Sequence, residues 1–172
     1  MRTYLITGNP GSGKTTLAAE LSARGLIALD TDDLAFWEDS DGHPADQPVD
    51  ASDDWRLAHR WVWSRADILQ AIAAADSGAG SMFFCGIARN QADLLDVFDQ
   101  VFLLVIDEDT QNARLERSGR RASPERTEAM KQQIRDGRPI FHAEMLACGA
   151  TPLDGAAPSK IVADTLLSQL AL

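Results

Sequence analysis

Gly8-Asn9-Pro10-Gly11-Ser12-Gly13-Lys14-Thr15 fits the pattern G-x-x-x-x-G-K-[ST], whose residue types are those that hold a phosphate chain. Glycines let backbone N–H groups curl around the phosphates without Cβ obstruction, and a following helix turns its positive end toward the same charge. In such a loop Lys14 reaches the β- and γ-phosphates as a mobile point charge, and the Thr15 hydroxyl ligates Mg²⁺. Gly8, Asn9, Gly11, Ser12, Gly13 and Thr16 complete the predicted nucleotide cradle. At average residue usage a chain of this length shows the pattern by chance on the order of once in a hundred. Lysine is otherwise scarce, with only Lys131 and Lys160 besides Lys14.

The elements around the loop are those the pattern requires. Thr3 to Thr7 reads as a β-branched and apolar strand, and Thr15 to Leu21 as a helix ending near Gly25. Leu26 to Leu29 is a second strand that stops at Asp30. The region from there to Asp54, with Gly42, Pro44 and Pro48, is expected to be mostly loop. Trp55 to Asp76 is expected to form one long helix, with Ala58, Val62, Leu69 and Ile72 near helical spacing. Ser81 to Cys85 and Val101 to Ile106 are apolar strands of the kind covered on both faces. Asp109 to Arg117 reads as a helix, as does Pro124 to Leu146 with an interruption at Gly137-Arg138-Pro139. Thr151 to Leu153 is a short strand, and Ser159 to Leu170 is an amphipathic closing helix. Alternating strands and helices with short connections imply a three-layer α/β/α P-loop NTPase fold with a mostly parallel five-stranded sheet. All 172 residues are expected to form one domain, with an insertion at about 30–77 and a short lid at about 117–124.

Charge and composition exclude several classes. The net charge of −10 argues against a nucleic-acid partner, which is met by a basic surface. The excess is local: residues 30–54 carry ten acids and no Lys or Arg, leaving sixteen acids and sixteen bases elsewhere. No apolar run approaches the ~20 residues of a membrane span, and the start of the chain lacks a cleavable signal, so no membrane partner is expected. Cys85 and Cys148 stand far apart and are expected to be reduced, which places the chain in the cytoplasm. Monomer and dimer stay open.

With these motifs in view, the sequence resembles the small P-loop kinases, a group that includes adenylate, shikimate and gluconate kinases. The resemblance covers nearly the whole chain in length and element order, and the phosphate loop is its most specific part. Asp30-Thr31-Asp32 looks like the D-x-D of shikimate kinases, which implies Asp30 near the magnesium shell and Asp32 on an acceptor hydroxyl. A carboxylate at a strand's carboxyl end suits that chemistry. Asp33 is a weaker candidate, and the alternative for Asp32 or Asp33 is a simple helix cap. Cys85-Gly86-Ile87-Ala88-Arg89 takes the place of D-G-F-P-R in adenylate kinases, which implies Gly86 and Arg89 as acceptor or phosphate ligands. Cys85 departs from that pattern where an acid stands, so Asp30 has to supply the charge. The triple glycine of shikimate kinases is absent too, and neither named activity transfers.

The stretch 112–121 resembles the approach to the lid in these kinases. It implies Arg114 or Arg117 on the nucleotide, and Arg120 or Arg121 closing over the phosphates, an arrangement that suits charge neutralisation in phosphoryl transfer. The catalytic set is then Lys14, Asp30, Asp32, Arg117 and Arg121, with Arg126, Arg135 and Arg138 as weaker candidates. Among the four tryptophans, Trp61 is expected in the core, and Trp63 is expected to share a helical face with Arg56 and Arg60, forming an acceptor wall with Arg60 as a ligand. His43, His59 and His142 show no metal-ligand spacing. Residues 150–154 resemble the segment that borders adenine. The expected activity is transfer of the γ-phosphoryl group of ATP, with Mg²⁺, to a small-molecule hydroxyl of a nucleoside, sugar or cyclic polyol. The alternatives are a nucleoside monophosphate kinase, and a nucleotide-binding switch or inactive kinase-like protein; no guanine-reading N-K-x-D occurs.

Overall fold

The computed structural model describes residues 1–75, 80–116 and 127–172. The expected lid, with Arg117, Arg120, Arg121 and Arg126, lies outside the described residues. In chain order the elements are β1 (Arg2–Thr7), α1 (Lys14–Ala23), β2 (Ile27–Asp30), β3 (Ala35–Glu38), β4 (Pro44–Ala45), α2 (Asp53–Ala58), β5 (Arg60–Trp63), α3 (Arg65–Ala75), β6 (Ser81–Cys85), β7 (Gln100–Val105), α4 (Glu108–Glu116), α5 (Glu128–Ala147), β8 (Thr151–Asp154) and α6 (Ser159–Leu170). Single 3-10 segments occupy Thr31–Leu34 and Gln91–Val97. Among the described residues no helix is long and apolar enough to cross a membrane.

Five strands pair in the order β2-β6-β1-β7-β8, every pair parallel. Because side chains alternate along a strand, each strand feeds two cores. On one face Tyr4, Ile6, Phe83, Phe102, Leu104 and Leu153 meet Leu17 and Leu21 of α1 and Val162 and Leu166 of α6. On the other, Leu5, Met82 and Phe84 meet Trp63, Ile68 of α3 and Phe98, while Leu103 packs on Met145 and Phe141 of α5. The result is a three-layer α/β/α fold with a wholly parallel five-stranded sheet, as the sequence pattern implies.

The acceptor-side insertion differs from expectation. The stretch 30–54 is not mostly loop, and no long helix covers 55–76. Instead β3, β4 and β5 form a second, antiparallel sheet in the order β4-β3-β5, with Trp37 opposite Trp61 and Ala35 opposite Trp63. The run Arg60-Trp61-Val62-Trp63 is aromatic and β-branched, so cross-strand packing outweighs its helical spacing. This also reverses the two tryptophans: Trp63 is 2% exposed, in the core, and Trp61 is half-buried. The expected helical face shared by Arg56, Arg60 and Trp63 does not exist.

Nor is α5 interrupted at 137–139. Pro139 stands inside a continuous helix, on its exposed side, where water can take the Arg135 carbonyl left without an N–H partner. Packing of Phe141 and Met145 on Leu103 sustains the helix past the weak step.

Candidate active site

The carboxyl ends of β1, β2 and β6 converge on the loop between β1 and α1. Gly11 and Gly13 adopt φ of +88° and +102°, a left-handed backbone that side-chain-bearing residues rarely take. Gly13 caps α1, so the first-turn N–H groups of Thr15 and Thr16 have no carbonyl of their own helix to bond and face the loop's mouth. Lys14 folds back and donates to the Gly8 and Asn9 carbonyls at 2.6 and 3.2 Å. Asn9 and Ser12 are buried, yet Asn9 Oδ1 and Ser12 Oγ have no hydrogen-bond partner among the described residues. Thr15 and Thr16 are exposed. Preformed loop, left-handed glycines and the unpaired Ser12 hydroxyl, which can donate, fit a phosphate chain.

Beside the loop lies a recess of ≈ 290 Å³ bounded by Gly13, Thr16, Arg114, Gly155, Ala156 and Pro158. Arg114, expected on the nucleotide, is anchored to backbone: its Nη1 donates to Gly11 O, Ser12 O and Gly155 O, and its Nη2 to Ala156 O, at 2.8–3.2 Å. It thereby ties the phosphate loop to the β8–α6 turn, directly after residues 150–154, the segment expected to border adenine.

On the acceptor side, Asp30 ends β2 and caps the 3-10 segment, accepting from the Asp32 N–H at 3.2 Å. The cap is therefore Asp30 rather than Asp32 or Asp33. Burial pushes the Asp32 carboxyl above the usual carboxylate range, and the neighbouring Asp30 charge adds to that; the Lys14 charge and a hydrogen bond with Trp61 oppose it. Solvent still reaches Asp32, an exposed residue. Cys85 is in register with Asp30; burial and then the Asp30 charge push its thiol far up, so it stays protonated. Lys14, Asp30, Asp32 and Cys85 are thus one electrostatic group.

Gly86 follows with its Cα against Thr31: a Cβ there would lie 1.6 Å from Thr31 Oγ1 and 3.3 Å from the Trp63 ring. Close approach of the two loops therefore accounts for glycine at this position. The Arg89 N–H donates to Trp61 O at 2.8 Å, and Asn90 pairs through Oδ1 and Nδ2 with the backbone of Trp63 at 3.0 and 2.9 Å. These bonds fasten the end of β6 to β5 and leave the Arg89 side chain exposed. Arg60 is not brought to the others. It alternates with Trp61 on β5, so it points to the opposite face, and it pairs with Glu38 at 2.9 Å. Arg138 donates to Ile106 O at 3.2 Å, and Arg135 to Gln132.

Two residues escaped the sequence reading. Asn90 bridges the sheets through an amide that mimics a strand, for which sequence holds no signal. Gln111 donates to the Pro10 carbonyl at 3.2 Å; its only hint is a place three residues before Arg114, on the same helix face.

Known structures share this fold. A sugar kinase from Janibacter sp. superposes with a TM-score of 0.60 at 21% identity, over 99% of this chain and 95% of that one. The chain has the fold of the small P-loop kinases. Within that fold, a deoxyadenosine kinase from M. mycoides with bound dATP matches at TM-score 0.55 and 15% identity, over 99% of this chain and 100% of the other. A gluconokinase from Sinorhizobium meliloti matches at 0.50 and 18%, over 99% and 91%. No family model and no curated protein matches the sequence.

Proposed function

We propose that this chain is an ATP-dependent small-molecule kinase of the cytoplasm, transferring the γ-phosphoryl group to a hydroxyl of a nucleoside, sugar or cyclic polyol. The observation that carries the reading is geometric: β1, β6 and β2 end together, with Ile6 in register with Cys85 and Cys85 with Asp30, so the phosphate loop after β1 and the carboxylates after β2 open at the same end of the sheet. In this reading the acceptor oxygen attacks the γ-phosphorus, the bond from γ-phosphorus to the β–γ bridging oxygen breaks, and the hydroxyl proton passes to Asp32. Lys14 meets the β- and γ-phosphates, and the backbone N–H groups of Gly11 and of 13–16 orient them, the Ser12 N–H being bonded to the Asn9 carbonyl at 3.0 Å. Thr15 and Asp30 would hold Mg²⁺, which when bound neutralises charge on the phosphate oxygens. Arg89, exposed after β6 with its backbone N–H bonded to Trp61 O, is the acceptor-side cation in this reading, and the expected arginines of 117–126 would add charge during transfer. In this reading the whole chain acts as one domain, with residues at about 30–77 as its acceptor side.

A second reading has one observation in its favour: Cys85 is uncharged at the position where the resemblance to adenylate kinases implies an acid, as in a protein that binds nucleotide without transfer. The test of both is ADP release from Mg²⁺-ATP against nucleosides, nucleoside monophosphates, sugars, aminoglycosides and polyols. Stimulation by a hydroxyl compound is expected. Tight ATP binding with no stimulated release across that panel would favour the second reading.

A further inference from the structure

Backbone N–H groups face a bound phosphate only when the carbonyls of the same trans peptide units face away, and those carbonyls need donors of their own. Each carbonyl of the loop has one. Lys14 Nζ serves Gly8 and Asn9, Gln111 Nε2 serves Pro10 at 3.2 Å, Arg114 Nη1 serves Gly11 and Ser12 at 3.1 and 3.2 Å, and the Leu17 N–H serves Gly13 at 2.9 Å.

These donors are not equivalent. A lysine that moves onto phosphate releases the Gly8 carbonyl while the Ser12 N–H still holds that of Asn9 at 3.0 Å, whereas Gln111 is fully buried on α4 at 0% exposure and has nowhere else to go. Its Oε1 has no hydrogen-bond partner among the described residues. Burying an amide with one half unpaired costs stability that an apolar residue of the same size would not cost. The half that is paired holds the Pro10 carbonyl, and in a trans peptide this turns the Gly11 N–H the opposite way, into the cradle; no peptide bond here is cis.

We infer that Gln111 is a positioning residue for phosphate binding: through the Pro10 carbonyl it fixes the concave form of the loop from behind. The inference rests on reading that loop as the nucleotide phosphate site. It separates α4 into two tasks, with Gln111 setting the floor of the cradle and Arg114 joining the cradle to the neighbouring recess.

The test is calorimetric titration of the full-length chain with ATP, inorganic tripolyphosphate and adenosine. Gln111→Leu is expected to weaken ATP and tripolyphosphate by about tenfold, from the lost donor and the stranded carbonyl, while adenosine stays within about twofold. Gln111→Met supplies the same deletion if the leucine variant fails to fold. Gln111→Glu adds a readout that packing alone does not move. A buried carboxyl donates to Pro10 O only while protonated, so the ratio of wild-type to variant tripolyphosphate affinity should grow as pH rises. Unchanged tripolyphosphate binding in the deletion variants, or an equal loss for adenosine, overturns the inference. A wild-type chain that binds neither ATP nor tripolyphosphate overturns instead the nucleotide reading beneath it.

Discussion

Asp30 and Cys85 stand opposite each other, in register across the parallel strands β2 and β6. The thiol is held protonated by burial and by the Asp30 charge, so Asp30 is the member of this pair that presents a negative charge to the phosphate loop. A neutral residue at 85 adds no further negative charge between β2 and β1.

Substitutions at this pair should therefore behave differently. Cys85→Ala removes one fully buried atom group and is expected to lower stability by about 1 kcal/mol, with Mg²⁺-dependent turnover kept within about twofold. Asp30→Asn retains a side-chain oxygen for the 3-10 cap, so its melting should change by less than about 1 kcal/mol. Its turnover should fall on the order of a hundredfold through lost charge at the reacting phosphates. Steady-state rates and thermal melts of the two variants check this; equal loss of turnover in both would remove Asp30 from the metal-holding role.

Asp32 predicts a pH dependence of defined sign. Its folded pKa lies above the unfolded value because burial, and then the Asp30 charge, disfavour the anion. The folded state thus binds the proton more tightly, and the ionised carboxylate costs stability once pH exceeds the unfolded value of about 3.9. Asp32→Asn should melt higher than wild type near pH 7, and the gap should close below about pH 3. As a base, Asp32 also gives turnover an acid limb above the ordinary carboxylate range. The Asn variant should lose acceptor-dependent turnover and keep ATP affinity. Wild-type turnover in this variant would remove the base role.

Much of this was legible in sequence because it rests on strong local signals. The β1–α1 loop needs left-handed backbone at Gly11 and Gly13, and the strands at 81–85 and 100–105 are apolar on both faces. The acceptor side was read wrongly because Trp61 and Trp63 satisfy two periods at once. Only pairing with β3 and the Asn90 bridge to Trp63 decide for a strand, and both are contacts distant in sequence. Pro139 misled in the opposite sense: its local penalty is real, but tertiary packing of the flanking turns outweighs it. Gln111 had only its helical spacing from Arg114 as a hint, since its partner, the Pro10 carbonyl, lies 101 residues away.

Lys14→Ala is expected to abolish nucleotide-dependent turnover, by at least on the order of a hundredfold, with little change in melting. Its bonds to the Gly8 and Asn9 carbonyls are made by a half-buried side chain whose carbonyl partners water can serve in its place. Retained ATP binding and turnover in this variant, measured by titration and ADP release, would exclude the loop as the phosphate site.

Gly86 offers a test of the geometry that does not depend on any ligand. A methyl group here would fall 1.6 Å from Thr31 Oγ1 and 2.9 Å from Thr31 Cβ, so Gly86→Ala forces the end of β6 away from the turn that carries Asp30 and Asp32. Overpacking of this kind costs about 1–3 kcal/mol. Thr31→Ala removes the hydroxyl that meets the new methyl but leaves the Cβ contact, so the double variant should recover part of the loss and fall short of wild type. Thr31→Ala alone gives up the 3.4 Å bond from Thr31 Oγ1 to Cys85 O and should cost about 1 kcal/mol. A double-variant cycle read by denaturant unfolding then has a favourable interaction energy. Strict additivity would mean that the two loops do not touch, and with it the placement of Asp32 beside Lys14 would lose its support.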